Sequence, residues 1–103
     1  MAEYQKVLKK VDLKDGQGKC VVVGGKAIAI FLAAGQFYAV DDLCTHAEAS
    51  LADGWLTEDC RVACPWHGAE FDLKTGEAKT PPAFDPVKTY PVRVSGEDVE
   101  IEV

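Results

Sequence analysis

The chain has 103 residues, 48% of them hydrophobic and 27% charged, the size and make-up of one ordinary domain able to bury a single modest core. A formal net charge of -6 and a pI near 4.8 mean that the summed field repels nucleic-acid phosphates and anionic lipid and favours basic protein surfaces. No uncharged apolar run approaches the roughly 20 residues that span a bilayer, and the opening MAEYQKVLKK holds no apolar leader core, so the expectation is a cytoplasmic monomer that contacts neither membrane nor nucleic acid.

In chain order, short runs rich in Val, Ile and Phe alternate with Gly, Asp and Pro punctuation, the pattern of strands rather than of an amphipathic helix. It predicts strands over Tyr4 to Lys9, Lys19 to Val23, Ala27 to Ala33, Gln36 to Val40, Arg61 to Cys64, Glu70 to Asp72, Val87 to Val94 and Val99 to Val103. Hairpin connections are marked by DGQG (15–18), GG (24–25), AGQ (34–36), TGE (75–77) and SGED (95–98), each offering a residue that tolerates positive φ. Two segments break the alternation: 41–59, and TPPAFDP at 80–86, whose prolines cannot donate to a ladder. The expected fold class is all-β.

Four cysteines would suggest a disulfide framework in a secreted mini-protein, but a chain of this size without a leader points to metal ligands or free thiols. Cys44 and His46 form a C-x-H pair, Cys64 and His67 a C-x-x-H pair, and 17 residues, 47–63, separate them. Each pair has the short spacing at which two side chains reach one metal centre from one loop tip, and together they use both histidines of the chain. Two centres accept this donor set: a single tetrahedral zinc bound by Cys₂His₂, or a Rieske-type [2Fe–2S] cluster with two cysteines on one iron and two histidines on the other.

The flanking residues separate the two. CTH at 44–46, CPWHG at 64–68 and TPP at 80–82 resemble, in order and spacing, the two cluster loops and the covering loop of the Rieske family, and the resemblance extends over nearly the whole chain. It implies a Rieske-type antiparallel β-sandwich, one domain over 1–103, with a small cluster-binding subdomain formed by loops at about 43–50 and 63–72 and covered by a loop at about 80–84. It further implies one [2Fe–2S] cluster, with Cys44 and Cys64 as thiolates on the buried iron and His46 and His67 on the outer iron, whose exposed edge would be the electron exit.

Departures from the family are informative as well. Respiratory members carry a second cysteine in each loop and join the two by a disulfide; Ala49 and Trp66 stand in those places here. They also aim serine and tyrosine hydroxyls at the cluster, where this chain has Ala69 and Phe71. Hydrogen bonds to cluster sulfurs stabilise the reduced state, so their loss argues for the low end of a range running from about -150 to +300 mV. Such a carrier could accept electrons from an NAD(P)H-dependent flavin reductase and pass them to a terminal oxygenase, as does the ferredoxin component of bacterial aromatic-ring dioxygenase systems. With both histidines committed and no Gly-rich nucleotide loop, the chain is expected to have no catalytic site of its own. The alternative is a small Rieske subunit of another oxidoreductase such as nitrite reductase, although that subunit usually lacks the four ligands.

Other residues carry plainer expectations. Cys20 and Cys60 read as packed thiols; were 60–64 extended, the sulfurs of Cys60 and Cys64 would lie roughly 13 Å apart, too far to share a centre. Trp66 either packs its loop or shields the cluster and meets a partner, Trp55 reads as a core or loop anchor, and Pro81 and Pro82 as a rigid cover. Asp41, Asp42, Glu48 and Glu70 flank the ligand loops as candidate docking charges, against the ordinary expectation that acidic side chains are solvated.

Overall fold

The computed structural model describes residues 4–43, 50–65, 68–80 and 86–102. Ten antiparallel strands run through them: β1 (Tyr4–Lys9), β2 (Gly18–Val23), β3 (Lys26–Ala33), β4 (Gln36–Asp41), β5 (Trp55–Leu56), β6 (Arg61–Ala63), β7 (Glu70–Asp72), β8 (Thr89–Tyr90), β9 (Val92–Ser95) and β10 (Asp98–Glu102). They form three sheets, ordered β1-β10-β9, β2-β3-β4-β8 and β5-β6-β7. Two 3₁₀ turns, Lys10–Asp12 and Leu51–Asp53, complete the regular structure among the described residues.

The β2-β3-β4-β8 sheet is the centre of the molecule, because it presents apolar side chains on both faces. Side chains alternate across a strand, and β3 reads KAIAIFLA, so its isoleucines and its Ala29 and Phe31 point to opposite sides. Ile28, Ile30, Ala39 and Tyr90 share one buried cluster with Leu8, Val99 and Ile101 of the β1-β10-β9 sheet. Ala29, Phe31 and Val40 share the other with Leu51, Val62, Cys64, Ala69 and Phe71. The near-continuous apolar run of β3 is therefore the mark of a strand buried on both faces.

Two sequence expectations are corrected here. Val87 to Val94 is not one strand: Thr89–Tyr90 pairs with β4 and Val92–Ser95 with β10, and the chain changes sheet at Pro91, which has no N–H to continue a ladder. Nor does the 41–59 segment lack a strand, since Trp55 pairs with Ala63 and Leu56 with Val62. A two-residue strand is too short to show a period.

Candidate metal centre

Three loop bases meet on the β5-β6-β7 side of the central sheet. The first is closed at Leu43 and Ser50, which face each other in an isolated antiparallel bridge. Asp42, the residue before it, makes four of the hydrogen bonds around this closure among the described residues. Its N–H donates to Ala27 O of β3 (3.0 Å) and its carbonyl accepts from Leu51 N (2.7 Å). Its Oδ1 accepts from Ser50 Oγ (2.8 Å) and from Ala52 N (3.0 Å).

The second base is the β6–β7 hairpin, in register from Arg61↔Asp72 to Ala63↔Glu70. Beyond it the Cys64 N–H donates to Ala69 O at 2.7 Å, so the ladder continues one step into the loop and Cys64 enters it already held. Gly68 has φ +69, a left-handed conformation that a side chain disfavours and that turns the chain back within five residues of Cys64. Cys64, Ala69 and Phe71 are all fully buried. The third base follows β7: Phe71 bridges Ala78, Lys79 N donates to Glu70 O at 2.8 Å, and Glu70 N donates to Thr80 Oγ1 at 2.8 Å. Arg61 pairs with Glu70 at 3.3 Å across the same hairpin.

The bases lie together because Leu51, one residue beyond the first loop, occupies the same buried cluster as Cys64 and Ala69. Gly54 makes this approach feasible: a Cβ there would sit 1.9 Å from Ala63 O, so only glycine lets the 51–54 turn lie against β6. Of the four expected ligands, Cys64 stands at the base of its loop with its side chain in this apolar wall. Cys44, His46 and His67 lie outside the described residues, as do Glu48, Ala49, Trp66, Pro81 and Pro82.

The donor set suits an iron–sulfur group. Cys64, whose sulfur is a soft donor, stands in an apolar wall with its N–H bonded at the loop entry, and no buried side-chain nitrogen or oxygen among the described residues lacks a partner. Ala69 and Phe71 contribute no hydroxyl at this wall.

Several flanking residues differ from expectation. Asp42 is not a solvated acid but 7% exposed and hydrogen-bonded at the first loop's base; a D-x-C spacing alone gives no sign of it, because the bonds come from residues 50 and 52. Asp41 accepts a 2.6 Å hydrogen bond from Tyr90 Oη, and burial together with this bond pushes the Tyr90 phenol up to about 12. Trp55 is 54% exposed rather than a core anchor. Cys20 is exposed rather than packed, with its thiol pushed up first by partial desolvation and then by the charge and hydrogen bond of Asp42. Cys60 does pack, partly buried, against the cluster that holds Cys64, but its φ of +61 means that 60–64 is not one extended run.

Comparison with known proteins bears on the same residues. The Rieske [2Fe-2S] domain family matches residues 3–91. The chain is 50% identical over 76 residues to the 3-phenylpropionate/cinnamic acid dioxygenase ferredoxin subunit of Shigella boydii serotype 4, covering 74% of this chain and 72% of that one. The structure superposes on the ferredoxin of carbazole 1,9a-dioxygenase from Nocardioides aromaticivorans IC177 with a TM-score of 0.91 at 31% identity, over 95% of both chains. It also superposes on a chain from the complex of reduced oxygenase and oxidized ferredoxin in carbazole 1,9a-dioxygenase with a TM-score of 0.88 at 34% identity, over 96% of this chain and 92% of that one. The cofactor is accordingly one Rieske-type [2Fe–2S] cluster rather than a zinc ion. With a family match across most of its length and three loop bases gathered on one wall, the chain belongs to the Rieske [2Fe-2S] domain family.

Proposed function

We propose that this chain is a one-electron carrier that takes electrons from an NAD(P)H-dependent flavin reductase and passes them to the terminal oxygenase of an aromatic-ring dioxygenase system. The observation that carries the reading is the 50% identity to a dioxygenase ferredoxin subunit, supported by whole-chain superposition on a dioxygenase ferredoxin. Cys44 and Cys64 are the thiolate ligands, His46 and His67 the imidazole ligands. When bound, the cluster supplies a site that gains and loses one electron. The protein's part is to hold its ligands from loops closed at their bases and to keep water from Cys64. The chain acts as a monomer in the cytoplasm, one domain over 1–103, without a catalytic site of its own. A helix long and apolar enough to cross a membrane is absent among the described residues.

A nitrite reductase small subunit shares the fold at 26% identity and a TM-score of 0.85, which supports the alternative role more weakly. Metal analysis and reconstitution test the reading. The purified protein should be red-brown, with two irons and two labile sulfides per chain, and should couple a flavin reductase to an aromatic-ring oxygenase. Zinc without sulfide would refute the ligand assignment, and a cluster-loaded protein unable to support any such oxygenase would refute the partner assignment. With a net charge of -6, reduction by the reductase should slow as salt brings the Debye length down to about 8 Å.

A further inference from the structure

The peptide group between Ala69 and Glu70 is bonded at both ends. Its carbonyl, on Ala69, accepts from Cys64 N at 2.7 Å, and its N–H, on Glu70, donates to Thr80 Oγ1 at 2.8 Å. The second bond stands where the ladder would place a backbone one. Phe71 bridges Ala78, which sets Glu70 opposite Lys79, and residues facing each other in such an antiparallel pair exchange two backbone bonds. Lys79 N makes the first, to Glu70 O at 2.8 Å; the return bond from Glu70 N goes to the Thr80 hydroxyl instead of the Lys79 carbonyl. That hydroxyl stands on a β-branched side chain, whose χ1 has few choices, so the acceptor is held in direction much as a main-chain carbonyl is. The side chain of Glu70 is engaged elsewhere, in the ion pair with Arg61.

We propose that Thr80 is a positioning residue whose hydroxyl, acting through the Ala69–Glu70 peptide, holds Cys64 in the orientation in which it binds the cluster. The inference rests on the assignment of Cys64 as a ligand. A peptide group is planar and turns as one body, so fixing its N–H end fixes the direction of its carbonyl, and a donated N–H polarises the amide and makes that carbonyl a stronger acceptor. Without the Thr80 oxygen, the half-buried Glu70 N–H would be left unsatisfied. Relief comes from rotating the peptide toward water, which swings the Ala69 carbonyl off Cys64 N. Cys64 is the first residue beyond β6, and its N–H bond to Ala69 is the step that continues the ladder into its loop.

Three variants test the proposal. Thr80→Val keeps the shape and removes the acceptor, Thr80→Ser keeps the acceptor, and Thr75→Val removes the comparable hydroxyl that accepts from Glu77 N at 3.2 Å in the preceding turn. Each is read, as folded cluster-loaded protein, by the rate of iron loss to a chelator and by the electron paramagnetic resonance g values of the reduced cluster. Thr80→Val should lose iron severalfold faster than the wild type and show shifted g values, while Thr80→Ser and Thr75→Val should match the wild type in both. A Thr80→Val protein indistinguishable from the wild type would overturn the proposal. So would a Thr80→Ser protein as impaired as Thr80→Val, because the hydroxyl would not be the cause, or a Thr75→Val protein as impaired, because any loosening of the 75–80 segment would then suffice. If circular dichroism shows Thr80→Val unfolded, Thr80→Ala, which removes the hydroxyl without adding a second methyl, takes its place in each comparison. Wild-type protein that binds no iron or sulfide would bring down the ligand assignment beneath, whereas failure confined to the variants would bring down this proposal alone.

Discussion

On one side of the central sheet β1 pairs with β10 from Tyr4↔Glu102 to Lys9↔Asp98, with one register shift between Lys6 and Leu8, and β10 pairs with β9 from Asp98 to Ile101. The ties between side chains there lie at the surface: Lys6 with Asp98 at 3.2 Å, and Arg93 with Glu100 and over the Tyr4 ring. On the other side β5, β6 and β7 have two or three residues each, and the loops before, between and after them are closed by a few backbone bonds, such as Cys64 N to Ala69 O and Lys79 N to Glu70 O, and by single side chains, Asp42 accepting from Ser50 and Ala52 and Thr80 from Glu70 N. A long ladder shares its load over many peptide groups. Loops that present ligands cannot, since their tips must leave the ladder. Damage on the scaffold side should therefore lower stability in proportion to buried area, whereas equal damage on the loop side should also release the cluster.

The largest effect should come from Gly54→Ala, which sets a Cβ 1.9 Å from Ala63 O and forces the 51–54 turn away from β6. We expect a loss of about 3 kcal/mol or more in urea unfolding, with poor cluster retention. Next is a matched pair, Leu51→Ala and Ile101→Ala, both at fully buried positions on opposite sides of the central sheet. Each should cost about 2–5 kcal/mol, but only Leu51→Ala should hasten iron loss at a temperature where both remain folded. Equal iron loss in the two would erase the distinction between the sides.

A smaller change comes from Phe71→Tyr combined with Ala69→Ser. Both sites are fully buried, so the added atoms should cost about 1–3 kcal/mol. The midpoint should rise from a wild-type value near the low end of the Rieske range, about -150 mV, if both hydroxyls reach sulfur. Voltammetry showing a wild-type midpoint well above zero would remove the account.

The mildest effect is on the scaffold side at alkaline pH. Tyr90 has its phenol pushed up to about 12 by burial and the bond to Asp41, above about 10 for an unfolded tyrosine. Between those values the unfolded chain gives up a proton that the folded chain keeps, so the contribution is full below about pH 10 and is lost as pH rises toward 12. Tyr90→Phe should lose about 1 kcal/mol at neutral pH and should lack this part of the alkaline decline in unfolding titrations, without changing the midpoint of the cluster.

Local chemistry was legible in the sequence. Runs rich in Val, Ile and Phe between Gly, Asp and Pro punctuation placed β1 through β4, β6, β7 and β10 to within a residue or so, because such residues fit strands and turn residues end them, and CTH, CPWHG and TPP identified the family, because ligand spacing is set by bond lengths within one loop. What only the tertiary structure decided depends on residues distant in sequence. Pro91 could be read as a strand breaker, but not as the point where the chain passes from β4's sheet to β10's. Trp55 looked like an anchor because its place in an edge strand comes only from pairing with β6. Asp42 looked solvated because the Ser50 hydroxyl and Ala52 amide that bury it come from the far end of the loop it closes. Short strands and single-residue closures carry no period, and their partners are chosen by packing against the central sheet, which a one-dimensional pattern does not contain.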